Sequence, residues 1–174
     1  MLQKYAITAG ITLALMGIAD SAHAGVGQWS NGFEDATSIW WIAGNAGVDR
    51  GIGLAHSGAN NGWVRNWTGW NAVNASVQTY PGAECTVSAW LRSSQSMTGG
   101  YMAIRSWSSG NPILYQIPLA GPGPANPTNA NYNLYAFSFI ADDYSAMFYV
   151  GLWGNGQDAW IQVDDVVVSC PTPF

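Results

Sequence analysis

The segment WIQVDDVVVSC, from Trp160 to Cys170, has the alternating pattern of a β-strand that is buried on at least one side. Successive side chains of a strand point to opposite faces, so the pattern predicts two sets of residues. One set would be Trp160, Gln162, Asp164, Val166, Val168 and Cys170, and the other Ile161, Val163, Asp165, Val167 and Ser169. Both sets are largely apolar. We therefore expect this strand to lie in the core, with the rest of the chain arranged around it.

The first residues of the chain have the pattern of a secretion signal. Lys4 is followed by an apolar run from Tyr5 to Ile18 and then by Ala22-His23-Ala24, a cleavage site of the small-x-small type. The run is roughly 14 residues long, whereas a membrane span needs about 20. We expect residues 1–24 to be removed and residues 25–174 to form one domain. The protein would then be secreted, at the cell surface or in a periplasm.

The composition is poor in charge. Charged residues make up 9% of the chain, against about 25% in an average soluble domain. Removing the signal takes away Lys4 and Asp20, so the net charge stays at −5, with four Arg and no Lys. Such a surface cannot neutralise phosphate groups, which argues against nucleic acid or anionic lipid as a main partner. No other window is apolar enough to suggest insertion into a membrane.

Asp164 and Asp165 stand in the middle of the predicted core strand. An unpaired buried carboxylate costs several kcal/mol or more unless a cation or hydrogen-bond donors compensate it. Because basic residues are so few, a hard cation such as calcium is a better candidate for this role than a salt bridge.

Cys85 and Cys170 are the two cysteines of the chain. In an exported protein they are expected to form a disulfide bond. Closing the loop between them would be worth about 4 to 5 kcal/mol in the chain-entropy model. Two free buried thiols are the alternative.

Helical periodicity is hard to find, whereas short alternating runs recur between Gly, Pro, Asn and Ser residues. This pattern predicts an all-β fold, an antiparallel β-sandwich. The ten predicted strands are Gly27–Ser30, Ser38–Ile42, Gly62–Asn66, Val73–Thr79, Glu84–Ser93, Tyr101–Trp107, Ile113–Pro118, Tyr132–Ile140, Ala146–Leu152 and Asp158–Ser169.

Two predicted neighbouring strands place aromatic and arginine side chains on their open faces. Sugar rings stack on Trp and Tyr, while their hydroxyls need donors and acceptors such as Arg and Gln. The predicted ligand platform consists of Trp90, Arg92, Tyr101, Arg105, Trp107 and Gln116. For each tryptophan taken singly, packing in the core is about as probable as contact with ligand. A second cluster, Trp63, Trp67 and Trp70, is a candidate site at the loop tips.

Catalytic patterns are weak in this sequence. His56 is the one histidine after the signal, and the G-x-S-x-G elbow of many serine hydrolases does not occur. Asp164 and Asp165 would point to opposite faces of their strand, which does not suit a pair of glycosidase carboxylates. We therefore expect a protein that is not an enzyme.

Five segments in chain order carry a resemblance to a known family. They are Asn31-Gly32-Phe33-Glu34, Trp40-Trp41, Gly53–Gly58, Pro81-Gly82 leading into Cys85–Arg92, and Trp160–Val166. Together they resemble the jelly-roll carbohydrate-binding modules related to families 4, 9 and 22, of the galactose-binding-like type. Cys85 departs from the family pattern, which usually has Tyr at this place.

The resemblance implies a jelly roll that binds polysaccharides or oligosaccharides without catalysis. It also implies a structural Ca²⁺ ion held by Glu34, Asp164 and backbone carbonyls around Ser57, although these carboxylates could instead cap nearby turns. The alternative function, from a different class, is a structural subunit of an extracellular assembly that associates with copies of itself. A small hydrolase is the third and weakest hypothesis.

Overall fold

The computed structural model describes residues 26–35, 39–119 and 131–172. All regular secondary structure in these ranges is strand, as the sequence predicted. The predicted signal segment lies outside the described residues. The nine strands are β1 (Val26–Asn31), β2 (Trp40–Ala43), β3 (Ala46–Arg50), β4 (Asn60–Gln78), β5 (Glu84–Ser93), β6 (Gly100–Ser106), β7 (Ile113–Leu119), β8 (Asn133–Ile140) and β9 (Ser145–Pro171).

The strands form the two layers of an antiparallel jelly-roll sandwich. Sheet I has the order β2-β4-β9-β6-β7 and uses residues 68–78 of β4 and 145–155 of β9. Sheet II has the order β3-β4-β9-β5-β8 and uses residues 60–66 of β4 and 159–171 of β9, with β1 beside the end of β9. The two long strands β4 and β9 therefore run through both sheets, and each sheet keeps one outer face.

Four of the predicted strands merge into two, because β4 and β9 are continuous. The runs Gly62–Asn66 and Val73–Thr79 are parts of β4, and Ala146–Leu152 and Asp158–Ser169 are parts of β9. The polar residues between the runs suggested loops. In the structure β4 and β9 remain paired across this region, with a register shift between Asn66 and Thr68.

The inner faces of the two sheets form one apolar core. From sheet I it contains Val73, Met102, Ile104, Phe148, Val150 and Leu152, and from sheet II Val64, Val87, Leu91, Ile161, Val163 and Val168. Phe33 lies 4.4 Å from Trp40, ring centroid to centroid, in a stacked arrangement. The N-terminal segment is thus anchored in the core by an aromatic side chain.

A β-bulge at Asp165 changes which side chains of β9 face inward. Ser88 pairs with Val167 but Trp90 pairs with Asp164, so β9 has one more residue than β5 in this interval. Asp165 has φ 46°, as expected for an extra residue in such a bulge. Ile161 and Val163 are buried before it, and Val166, Val168 and Cys170 after it. The prediction that strict alternation runs from Trp160 to Cys170 is therefore wrong.

The predicted disulfide bond between Cys85 and Cys170 is present. The two Cα atoms are 4.3 Å apart, and both side chains are buried. The bond joins β5 to the end of β9 and closes a sequence separation of 85 residues. Among the residues that the structure describes, no helix is long and apolar enough to cross a membrane.

Candidate functional site

The six residues predicted to form one ligand platform lie on two different faces. Tyr101, Arg105 and Gln116 are on the outer face of sheet I, and Trp107 follows directly after β6. Trp90 and Arg92 belong to β5 in sheet II. The prediction assumed that β5 and β6 are neighbours in one sheet. In the structure β6 pairs with β7 and the first part of β9, so the single platform is replaced by two separate surfaces.

The first cleft lies on the outer face of sheet I and has a volume of about 430 Å³. This is within the range of small-molecule sites, about 300 to 1,000 Å³. Its lining combines aromatic, apolar and hydrogen-bonding side chains: Trp70, Asn74, Tyr101, Arg105, Ile113, Gln116, Met147, Tyr149 and Trp153.

Trp70 is the centre of the aromatic lining. It pairs across the β4–β9 ladder with Trp153, and their ring centroids are 5.4 Å apart. The Trp70 ring also lies 5.8 Å from Tyr149 and 6.4 Å from Tyr101. Gly151 makes room for this ring, since a Cβ atom there would lie 2.2 Å from Cζ2 of Trp70. The aromatic side chains are therefore held in place by one another and by the backbone below them.

The polar groups of the first cleft stand beside the aromatic rings. The Tyr149 hydroxyl donates to Oε1 of Gln116 at 3.1 Å, and burial raises the pKa of Tyr149. The Arg105 guanidinium carbon lies 5.9 Å from the centre of the Tyr149 ring. Among the described residues, the buried Nε–H of Arg105 has no hydrogen-bond partner. A buried donor without a partner is unfavourable unless a ligand satisfies it.

Trp41 and Trp107 continue this aromatic surface beyond the cleft. Trp41 pairs with Asn74 of the cleft lining, so the two residues share the outer face. Its ring lies 5.9 Å from that of Trp107, and both side chains are exposed. From Trp153 to Met147 the strand alone covers about 20 Å. The surface is therefore an elongated groove, which suits a chain better than a single ring.

The three tryptophans predicted to cluster at the loop tips lie apart from one another. Trp70 is in the first cleft, and Trp67 stands exposed at the register shift in β4. Trp63 lines a second cleft on the outer face of sheet II, where Arg92 also lies. Trp90 is next to that surface, with its ring stacked on His56 at 4.0 Å.

The sequence analysis missed Tyr149 and Trp153. The signal was available, because Ala146, Phe148, Val150 and Leu152 form an apolar set with period two. That set assigns Met147, Tyr149, Gly151 and Trp153 to the opposite face.

Asp164 is fully buried, and backbone N–H groups compensate its charge. Its Oδ2 accepts from the N–H groups of His56 at 2.8 Å and Ser57 at 3.1 Å, while Oδ1 accepts from the N–H of Asp165 at 2.8 Å. Burial nevertheless raises the pKa of Asp164 to about 6. These donors account for the buried carboxylate without requiring a cation.

Glu34 is held in a similar way by the same loop. Its Oε1 accepts from the N–H groups of Ala59 and Asn60, at 2.7 and 2.8 Å, and its Oε2 accepts from the Asn60 amide at 3.0 Å. The carboxylates offer the hard oxygens that calcium prefers, but a bound ion would have to displace some of these donors. Within the described ranges, no three His, Cys, Asp or Glu residues are arranged to hold a metal. Calcium at Glu34, Ser57 and Asp164 stays a prediction.

His56, Ser57 and Asp165 are in contact, but not in the order of a catalytic relay. Asp165 accepts from the Ser57 hydroxyl and lies next to Nδ1 of His56, both at 2.7 Å. A nucleophilic serine would instead need to hydrogen-bond to the histidine. Here the carboxylate binds both side chains and fixes the loop against the bulge in β9.

No protein-family model matches this sequence. A search of curated proteins also found no match.

Solved structures of carbohydrate-binding modules share the fold at low sequence identity. A CBM22-1 xylan-binding domain of Xyn10C from Paenibacillus barcinonensis superposes with a TM-score of 0.60 at 10% identity, covering 87% of this chain and 98% of that domain. A CBM4 module gives 0.58 at 14% identity, with 76% and 94% covered. TmCBM61, in complex with β-1,4-galactotriose, gives 0.52 at 16% identity, with 75% and 88% covered. The fold is that of the jelly-roll carbohydrate-binding modules, as the sequence motifs predicted.

Proposed function

We propose that this protein is exported and binds a polysaccharide chain along the first cleft without catalysing a reaction. The main support for this proposal is the aromatic groove of sheet I, in which Trp70 contacts Tyr101, Tyr149 and Trp153. Aromatic faces bind the apolar faces of sugar rings, and a few well-placed polar groups orient the ligand. The solved CBM22-1 and CBM61 domains with this fold are described as binding xylan and β-1,4-galactotriose.

The polar groups of the cleft would set the orientation of the chain. Arg105 lines the cleft, and its guanidinium offers N–H donors for a sugar hydroxyl or ring oxygen. Gln116 already receives the Tyr149 hydroxyl, so its side-chain amide N–H groups face a fixed direction. Among the described residues, the lining of this cleft supplies donors and acceptors but no Ser, Cys, His, Asp or Glu side chain, which is the basis for proposing binding without chemistry.

A screen of soluble neutral polysaccharides by native affinity electrophoresis tests this function. Wild-type protein should be retarded by at least one β-linked glucan, xylan or galactan, and Trp70→Ala should move freely in the same gel. Trp67→Ala is the control, since Trp67 lies on the same strand but lines neither cleft. Equal retardation of Trp70→Ala and wild type would show that the first cleft is not the site.

Self-association is the second candidate function, and the edge of sheet I supports it. Ile39, Trp41 and Ile42 expose their side chains at or next to β2, the edge strand. Exposed apolar residues on an edge favour contact with another copy. Sedimentation over a wide range of protein concentration distinguishes the two functions. A monomer at every concentration argues against assembly. If an assembly forms through this edge, Trp41→Ser should dissociate it into monomers.

A further inference from the structure

The second cleft lies on the outer face of sheet II and is larger than the first. Its volume is about 690 Å³, again within the range of small-molecule sites. Its lining is Asn45, Asp49, Ile52, Leu54, Trp63, Arg65, Arg92, Trp160 and Gln162. None of these residues lines the first cleft.

The two clefts are built on the same pair of strands. Trp63 precedes Trp70 on β4 by seven residues, and Trp160 follows Trp153 on β9 by seven. Trp63 also lies over a glycine, because a Cβ atom at Gly47 would be 3.0 Å from Cζ2 of its ring. Each half of the β4–β9 ladder thus presents two tryptophans on its outer face, one of which packs against a glycine.

The polar side chains at the floor of the second cleft already form hydrogen bonds with one another in the absence of a ligand. Arg92 donates through Nε to Oε1 of Gln162 and through a terminal N–H to the carbonyl of Leu54 at 3.1 Å. The Gln162 amide donates in turn to Oδ2 of Asp49 at 3.3 Å. The Arg92 guanidinium carbon lies 5.0 Å from the centre of the Tyr132 ring and 6.0 Å from that of Trp160. Arg92 has five N–H donors, so some remain for a ligand.

The charges of the second cleft balance. Gln162 connects the cation Arg92 to the anion Asp49, and Arg65 forms an ion pair with Asp158. A neutral ligand rich in hydroxyl groups therefore suits this lining better than a phosphate or a carboxylate. Ile52 and Leu54 line the cleft on the side of the loop before β4.

We propose that the second cleft is a separate binding site for a neutral saccharide, contacted by Trp63, Trp160 and Arg92. Since it lies on the opposite face of the sandwich, one domain would hold two saccharide segments at once and link two chains. This site goes beyond the proposed polysaccharide site, and either one can exist without the other.

The test uses protein labelled with ¹⁵N, in which the side-chain N–H signals of the tryptophans report on each cleft separately. The probes are neutral β-1,4-linked xylo-, gluco- and galacto-oligosaccharides at millimolar concentration. At least one of them should shift the signals of Trp63 and Trp160. Trp63→Ala should lower this affinity about thirtyfold or more. The signals of Trp70 and Trp153 report independently on the first cleft.

Two further variants protect the test against a folding defect. Arg92→Gln keeps a polar side chain but removes the charge and the guanidinium donors, and it should also weaken the second cleft, while Trp67→Ala, between the clefts, should leave both sites unchanged. The proposal is overturned if no probe shifts the Trp63 and Trp160 signals. It is equally overturned if the Trp160 shift persists with unchanged affinity in Trp63→Ala and Arg92→Gln, or if the Trp63 and Trp160 signals shift without sugar as the protein concentration rises, because a second copy then fills the cleft.

Discussion

The first and second clefts differ in how their side chains are used before a ligand binds. In the first, the tryptophan and tyrosine rings support one another, and the buried Nε–H of Arg105 has no partner among the described residues. In the second, Arg92, Gln162 and Asp49 already bind one another. The same pair of long strands therefore carries an open aromatic groove on one sheet and a connected polar floor on the other. The difference predicts that aromatic stacking carries more of the binding in the first cleft and that Arg92 carries more of it in the second.

Replacing both cysteines tests whether the two clefts depend on the same framework. The double variant Cys85→Ser, Cys170→Ser should lower the free energy of unfolding by about 2 to 5 kcal/mol, because the unfolded chain regains its freedom. Urea unfolding measures this loss. Where the variant remains folded, glycan binding in the first cleft should be kept, since the bond lies within sheet II. Loss of that binding in a folded variant would contradict the independence of the two faces.

We expect calcium to bind the loop beside the second cleft and to stabilise the fold. The loop that holds Glu34 and Asp164 directly follows Leu54, which lines that cleft. Adding calcium to metal-stripped protein at a hundred times its dissociation constant should stabilise the fold by about 2.7 kcal/mol. A calorimetric melting curve shows this as a higher melting temperature.

Asp164→Ala should remove the calcium response, while Asp142→Asn, a change at an exposed acid, should retain it. Magnesium at equal ionic strength serves as the control for general charge screening. If calcium leaves the melting temperature of wild type unchanged, the backbone N–H groups alone stabilise this loop and the predicted calcium site is wrong.

Two glycines offer a matched comparison of the clefts. Gly151→Ala places a Cβ atom 2.2 Å from the Trp70 ring, which must move. Overpacking of this kind costs about 1 to 3 kcal/mol, so the first cleft should lose affinity. Gly47→Ala brings its Cβ only to 3.0 Å from Trp63, so we expect a loss of at most about 0.5 kcal/mol in stability and a smaller loss of affinity in the second cleft than Gly151→Ala causes in the first. Titration of both variants with the same oligosaccharide measures the difference, and equal losses would contradict this picture of how the rings are seated.

Much of the fold could be predicted from the sequence because local patterns determine it. The run from Glu84 to Ser93 alternates cleanly and forms β5 with the predicted bounds. Cys85 and Cys170 are placed on inward positions and are joined. The motifs from Asn31 to Val166 predicted the jelly roll that the solved modules share.

The arrangement of the site could not be predicted because it depends on which strands are neighbours. Trp90 and Tyr101 lie on consecutive strands of the chain, yet they belong to different sheets. The bulge at Asp165 reverses the two faces of β9, and no turn residue in the sequence marks it. Trp63 and Trp70 lie in one continuous strand on two different outer faces, so their spacing alone could not assign them to different clefts.

The most direct test of the proposed glycan site compares Trp153→Ala with Trp67→Ala by calorimetric titration with the oligosaccharide that wild type binds. Trp153 is 55% exposed and Trp67 59% exposed, so neither change should alter the melting temperature much. Only Trp153 lines the first cleft. We predict that Trp153→Ala raises the dissociation constant about thirtyfold, or about 2 kcal/mol, while Trp67→Ala leaves it unchanged. Equal dissociation constants for the two variants would contradict the assignment of the glycan site to the first cleft.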